Sequence, residues 1–127
     1  MKQTVTAPGA PNAIGPYCHA VIHNGLVITS GQIGVDPDTG AMVPGGAPEQ
    51  ARQVMKNLGA VLKASGSDFS KVLKANVYLA DMADFAGVNA VYAGYFGEDG
   101  YPARCCVAVN TLPANALVEI ELLAAAG

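Results

Sequence analysis

The architecture of this chain is anchored in residues 17–32, YCHAVIHNGLVITSGQ. Two runs rich in β-branched residues, Tyr17–His23 and Leu26–Gln32, are joined by Asn24-Gly25. Asn-Gly is a strong two-residue hairpin signal, because a type I′ turn needs positive φ at both central positions. The turn predicts the register: His23 opposite Leu26, Val21 opposite Ile28 and His19 opposite Ser30. Side-chain parity then predicts Tyr17, His19 and Ser30 on one sheet face.

Upstream of the hairpin, residues 1–16 are rich in proline and glycine and read as irregular, with a short strand near Gln3–Thr6. Downstream, Asp36–Gly40 and Pro44–Gly46 read as turn and loop. A helix is expected from about Pro48, with Ala51, Val54, Met55, Leu58, Val61 and Leu62 at helical spacing and Gly66 as its stop. Lys71–Ala80 reads as a strand. Asp81 is expected to cap a second helix, with Asp84 in its first turn, a face of Phe85, Val88, Asn89, Tyr92 and Phe96, and an end at Gly97. Residues 103–109 and 117–124 read as two further strands. The order β-hairpin, α, β, α, β-β predicts an α+β fold in a single domain over residues 1–127, a mixed sheet with both helices on one face. The other face is then bare, mixing Val21 and Ile28 with Ser30.

Composition points the same way. The 127 residues carry 7 basic and 10 acidic side chains, 13% charged, about half of the roughly 25% usual for soluble domains. Hydrophobic residues make up 51%, which excludes a disordered composition. So thin a charged surface, with one bare sheet face, predicts an oligomer. A net charge of −3, with only 7 basic residues spread along the chain, argues against nucleic-acid binding. No apolar run reaches the roughly 18 residues of a membrane span. The opening residues lack the apolar core of a signal peptide, so the expected location is cytoplasmic. Three cysteines without a CxxC pair predict neither a disulfide framework nor a zinc site. His19 and His23 alone make no metal site, and none is expected.

The chemistry-bearing stretch is Pro102-Ala103-Arg104-Cys105-Cys106-Val107-Ala108-Val109, followed by Leu117-Val118-Glu119-Ile120-Glu121. In an extended strand Arg104 and Cys106 share one face, opposite Ala103, Cys105 and Val107, while Glu119 and Glu121 share a face opposite Val118 and Ile120. Charges inside apolar strands are costly unless they are paired or bind something. Two readings follow: Arg104 pairs with Glu119 or Glu121 as a structural bridge, or its planar fork holds a ligand carboxylate.

Several collinear motifs resemble the Rid (YjgF-type) reactive-intermediate deaminases. They are Ala13-Ile14-Gly15-Pro16-Tyr17, Ile28-Thr29-Ser30-Gly31-Gln32, Val88-Asn89-x-x-Tyr92, Pro102-Ala103-Arg104-x-Cys106-Val107 and Val118-Glu119-Ile120. The resemblance implies a chorismate-mutase-like fold, a homotrimer with clefts between subunits, and cofactor-independent hydrolysis of 2-imino acids or their enamine tautomers, such as 2-iminopropanoate and 2-iminobutanoate, to 2-oxo acids and ammonia. It implies that Arg104 holds the substrate carboxylate and that Tyr17, Ser30, Gly31, Cys106 and Glu119 line the cleft, with Asn89 and Tyr92 in packing roles. Cys18-His19 departs from the Ser-Gln more usual after the tyrosine.

A partly buried Glu119 could orient water and move protons. Cys106 reads as pocket wall rather than nucleophile, since imine hydrolysis needs no covalent intermediate. Cys105 is expected in the helix-packed core. His19 is either a pH-tuned pocket residue or a satisfied interface histidine, and Tyr101 is a candidate for the cleft. Two other readings remain: a regulatory trimer that binds a small carboxylate without turnover, and a ribonuclease or translation inhibitor, which the acidic balance disfavours.

Overall fold

The computed structural model describes residues 1–127. Its six strands are β1 (Gln3–Val5), β2 (Ala20–His23), β3 (Leu26–Thr29), β4 (Val72–Leu79), β5 (Ala103–Ala108) and β6 (Val118–Ala125), with helices α1 (Ala47–Ala64) and α2 (Phe85–Ala93). They form one mixed sheet in the order β1-β2-β3-β6-β4-β5. The chain crosses from β3 through α1 to β4. It then crosses from β4 through α2 to its parallel neighbour β5, and β6 returns antiparallel between β3 and β4.

The hairpin forms as its turn requires. Asn24 and Gly25 have φ of 51° and 75°, and the pairs His23–Leu26 and Val21–Ile28 are in place. The Ser30 amide donates to the His19 carbonyl at 2.9 Å, which carries the ladder one pair further. Tyr17 and Cys18 lie outside the strand.

α1 starts within one residue of Pro48 and stops at Ser65, before Gly66 at φ 74°. Its apolar stripe of Val54, Met55, Leu58, Val61 and Leu62 seals the sheet face formed by Val27, Val77, Leu79, Val118 and Ile120. Two buried amides on α1 tie down loops whose backbone would otherwise be unsatisfied. Asn57 Nδ2 donates to the carbonyls of Ile33 and Val35 at 3.2 and 2.9 Å, and Gln50 Oε1 accepts from the Leu117 amide at 2.9 Å.

The second helix is shorter than its apolar spacing suggests. Asp81 caps a 3-10 turn, Met82–Asp84, by accepting from the Ala83 amide at 2.9 Å. α2 ends at Ala93, and Phe96 reaches the core from the turn beyond, its ring packed at a tilt against Tyr92 with centroids 4.9 Å apart. Gly94 and Gly97 in this segment are poor helix formers, and aromatic packing holds Phe96 without helical backbone.

β5 corrects the expected facing of its residues. Arg104 and Cys106 pair with Ala75 and Val77, which face the helices, so Arg104 and Cys106 face the helices too. Cys105 falls on the bare face and is exposed rather than core-buried. The phase of an edge strand is set by its partner, and β4 fixes it here. On the bare face Ile28 and Val107 are 52% and 42% exposed, beside Asn76, Tyr78, Glu119 and Glu121.

Candidate active site

Arg104 sits at the sheet edge under α2. Its guanidinium lies over the rings of Tyr92 and Phe85, 4.9 and 5.6 Å from their centroids. Nη1 donates to Oδ1 of Asn89. Phe85, Asn89 and Tyr92 lie four and three residues apart, so they share one face of α2. Asn89, Tyr92 and Arg104, with Tyr101 and Pro102, line a cavity of about 330 Å³. Tyr101 therefore borders the cavity, and Asn89 does more than pack.

The structural bridge from Arg104 to Glu119 or Glu121, one of the two readings of these charges, is absent, because both carboxylates lie on the opposite sheet face. Glu121 accepts from Asn76 Nδ2 at 3.0 Å and from the Tyr78 hydroxyl at 3.4 Å. Glu119 lies against the backbone of Gly31: a β-carbon there would stand 2.7 Å from Oε2. A side chain at residue 31 would displace the Glu119 carboxylate from this position. Gln32 and Ile120 exchange backbone hydrogen bonds at 2.9 and 3.2 Å, which holds the Gly31 segment against β6. Burial raises the Glu119 carboxyl above the ordinary carboxylate range, and the negative Glu121 adds to the rise.

Cys106 is half-buried next to Arg104. Burial pushes its thiol up, and the guanidinium only partly opposes this. A protonated thiol is a poor nucleophile, which agrees with a wall role. Ser30 Oγ donates to the Cys18 carbonyl at 2.6 Å. Tyr17, 48% exposed, borders a shallow hollow with Asn12 and Cys18.

His19 is a structural residue. Only 3% exposed, it accepts the Ala7 amide on Nδ1 at 2.8 Å, and Nε2 reaches the Pro11 carbonyl at 2.7 Å. Both nitrogens are used, and the proton must lie on Nε2. It pins the irregular segment before Tyr17 onto β2. Within one chain, then, the candidate residues form two groups: Arg104 and Cys106 on the helix side of the edge strand, and Ser30, Gly31 and Glu119 on the other side. Tyr17 stands in the loop that leads to β2.

Two helices packed on one face of a six-stranded mixed sheet, with a guanidinium at the open edge, define a small α+β protein with an arginine-lined cavity. The model of the family described as endoribonuclease L-PSP matches residues 7–126, and the chain belongs to this family, the Rid family that its motifs resemble. A mouse protein named 2-iminobutanoate/2-iminopropanoate deaminase is 46% identical over 127 residues, covering 100% of this chain and 93% of the mouse protein. A yeast crystal structure superposes with a TM-score of 0.96 at 42% identity and full coverage of both chains. Escherichia coli TdcF, solved with bound serine, superposes with a TM-score of 0.91 at 38% identity, covering 98% of this chain and 99% of TdcF.

Proposed function

We propose that this protein hydrolyses reactive 2-imino acids and their enamine tautomers, such as 2-iminopropanoate and 2-iminobutanoate, to 2-oxo acids and ammonia. In this reading it is a single-domain cytoplasmic homotrimer that uses no cofactor. The observation that carries the reading is Arg104, a partly buried guanidinium whose side-chain hydrogen-bond partner is a neutral amide, open to a cavity. Its charge is left for an anion, and a carboxylate fits its fork. The mouse relative's name supports the substrate class, and the serine bound to TdcF supports a site for small amino-acid-like carboxylates.

Arg104 binds the carboxylate. Water adds across C=N, its oxygen bonding to carbon and one of its protons passing by way of Glu119 to the imine nitrogen. The hydroxyl proton of the resulting carbinolamine then moves to the same nitrogen, the C–N bond breaks, and ammonia leaves as the carbonyl forms. A carboxyl raised by burial is suited to both taking and returning that proton. Glu119, across from Tyr78, and Val107, across from the same Tyr78, lie two strand spacings apart, roughly 10 Å. Arg104 is three residues further along β5 and points the other way. A small imino acid cannot touch both through the sheet, so Arg104 and Glu119 serve one substrate only if neighbouring chains supply them. The apolar bare face, with Ile28 and Val107 exposed, is the surface a second copy covers.

An assay that releases 2-iminopropanoate from an amino acid oxidase tests the reading. The protein should speed 2-oxo acid formation, and Arg104→Ala and Glu119→Gln should each lose most of that acceleration. Tight pyruvate binding without turnover on an imine panel would replace it with the regulatory carboxylate-binding trimer. The family description raises RNA cleavage as a second reading. RNA binding that weakens steeply with salt would favour it, against the chain's net charge of −3.

A further inference from the structure

The Phe85–Asn89–Tyr92 face of α2 has no part in the chemistry above, yet all three residues converge on Arg104. We propose that this face is a positioning clamp that fixes the plane of the Arg104 guanidinium while leaving its charge uncompensated, so that carboxylate affinity depends on residue 89 being a neutral acceptor. The proposal rests on the carboxylate-binding reading of Arg104.

The argument is geometric and electrostatic. A free arginine side chain samples many rotamers, and stopping it costs conformational entropy at the moment of binding. Here the centre of the guanidinium lies over the two rings, a contact suited to its delocalised charge. The amide oxygen of Asn89 takes a hydrogen at Nη1 and thereby sets rotation within the plane. Arg104 itself lines the cavity bordered by Tyr101 and Pro102, and Nη1 to Asn89 is the one side-chain hydrogen bond its guanidinium makes within the chain. A carboxylate at position 89 would hold the guanidinium as firmly but would neutralise it, and the cavity would lose its pull on an anion. Arg104 lies on the face opposite Glu119 and Glu121, so neither of these strand carboxylates competes for it. Tyr92 is buried, and its hydroxyl has no partner in the chain. Its ring lies closer to the guanidinium than that of Phe85, so the ring accounts for its contribution.

Two substitutions at one position, one truncating and one isosteric, separate a clamp from simple packing. Asn89→Ala should raise KM for 2-iminopropanoate about tenfold and leave kcat within about twofold, the pattern for loss of a charge-assisted contact that acts on binding alone. Asn89→Asp should weaken pyruvate binding more than Asn89→Ala does, even though Arg104 is still held. Melting curves of both variants report folding independently, and if Asn89→Asp fails to fold, the KM-to-kcat split of Asn89→Ala decides. Wild-type KM in Asn89→Ala, or equal pyruvate affinity in the Asp and Ala variants, overturns the clamp. Wild-type protein that neither binds pyruvate nor hydrolyses imines overturns the underlying reading instead.

Discussion

On the covered face of the sheet, the apolar side chains of Val27, Val77, Leu79, Val118 and Ile120 are sealed by α1. On the other face, a few ångströms away through the same backbone, Ile28 and Val107 stand open among Asn76, Tyr78, Glu119 and Glu121. The covered face is finished within one chain. The bare face is not, since it mixes exposed apolar side chains with carboxylates and is neither a core nor an ordinary solvated surface. Each face also holds half of the proposed site, Arg104 on one and Glu119 on the other. The core thus rests on the covered face alone, while the proposed function draws on both, and substitutions on the bare face can act on assembly without unfolding the chain.

The largest expected effect is on assembly. Ile28→Asp places an unpaired charge at the centre of the bare face, where a second copy would bury it at a cost of several kcal/mol per chain. Folding of the single chain should survive, because Ile28 is exposed there. Sedimentation should then give a mass near 12.9 kDa, with circular dichroism unchanged and imine hydrolysis lost. An unchanged assembly with full activity would show that this face is not the interface. Leu58→Ala does the opposite. Leu58 is fully buried between α1 and the sheet, and its truncation should cost about 3 kcal/mol. Urea unfolding would detect this, while the protein that remains folded stays active.

Much of this division was legible in the sequence. The Asn24-Gly25 turn admits essentially one hairpin, and α1 follows its stripe because apolar periodicity and burial coincide there. The strict alternation of β6 likewise placed Glu119 and Glu121 on one face. β5 was not legible in the same way. Ala103-Arg104-Cys105-Cys106-Val107-Ala108 has small or apolar residues on both faces, so only its pairing with β4 shows that Arg104 faces the helices. His19 was ambiguous because its partners are backbone groups of Ala7 and Pro11, which leave no mark in side-chain pattern. Asn89 stood on the expected face of α2, but its role depends on where Arg104 points.

The bare-face half of the site can be perturbed without touching a charge. Gly31→Ala would put a methyl 2.7 Å from Oε2 of Glu119. The carboxylate end of the side chain can move aside, so the fold should hold. Glu119 would be displaced by about an ångström, and hydrolysis should fall roughly tenfold or more, with pyruvate affinity at Arg104 little changed. Loss of binding and turnover together would mean that Gly31 and Arg104 are not the separable halves described above.

The smallest effect concerns the cost of keeping Glu119 half-buried. Its folded carboxyl is raised by burial first and by Glu121 second, above the ordinary value of 4.5. A raised carboxyl favours the protonated form in the folded chain. Its contribution to stability is therefore fully present below the unfolded value and is lost as pH rises through the folded one. Glu119→Gln removes the titration and keeps the shape. The variant should melt higher than the parent at pH 8, and the difference should shrink toward zero as pH falls below about 4.5. A variant that melts lower at pH 8 would mean that the assembled cleft supplies Glu119 with a cation or hydrogen-bond donors that favour its charged form. The carboxylate would then be held ionised, its role as the proton carrier would fail, and the division between a finished face and an unfinished one would need redrawing around that partner.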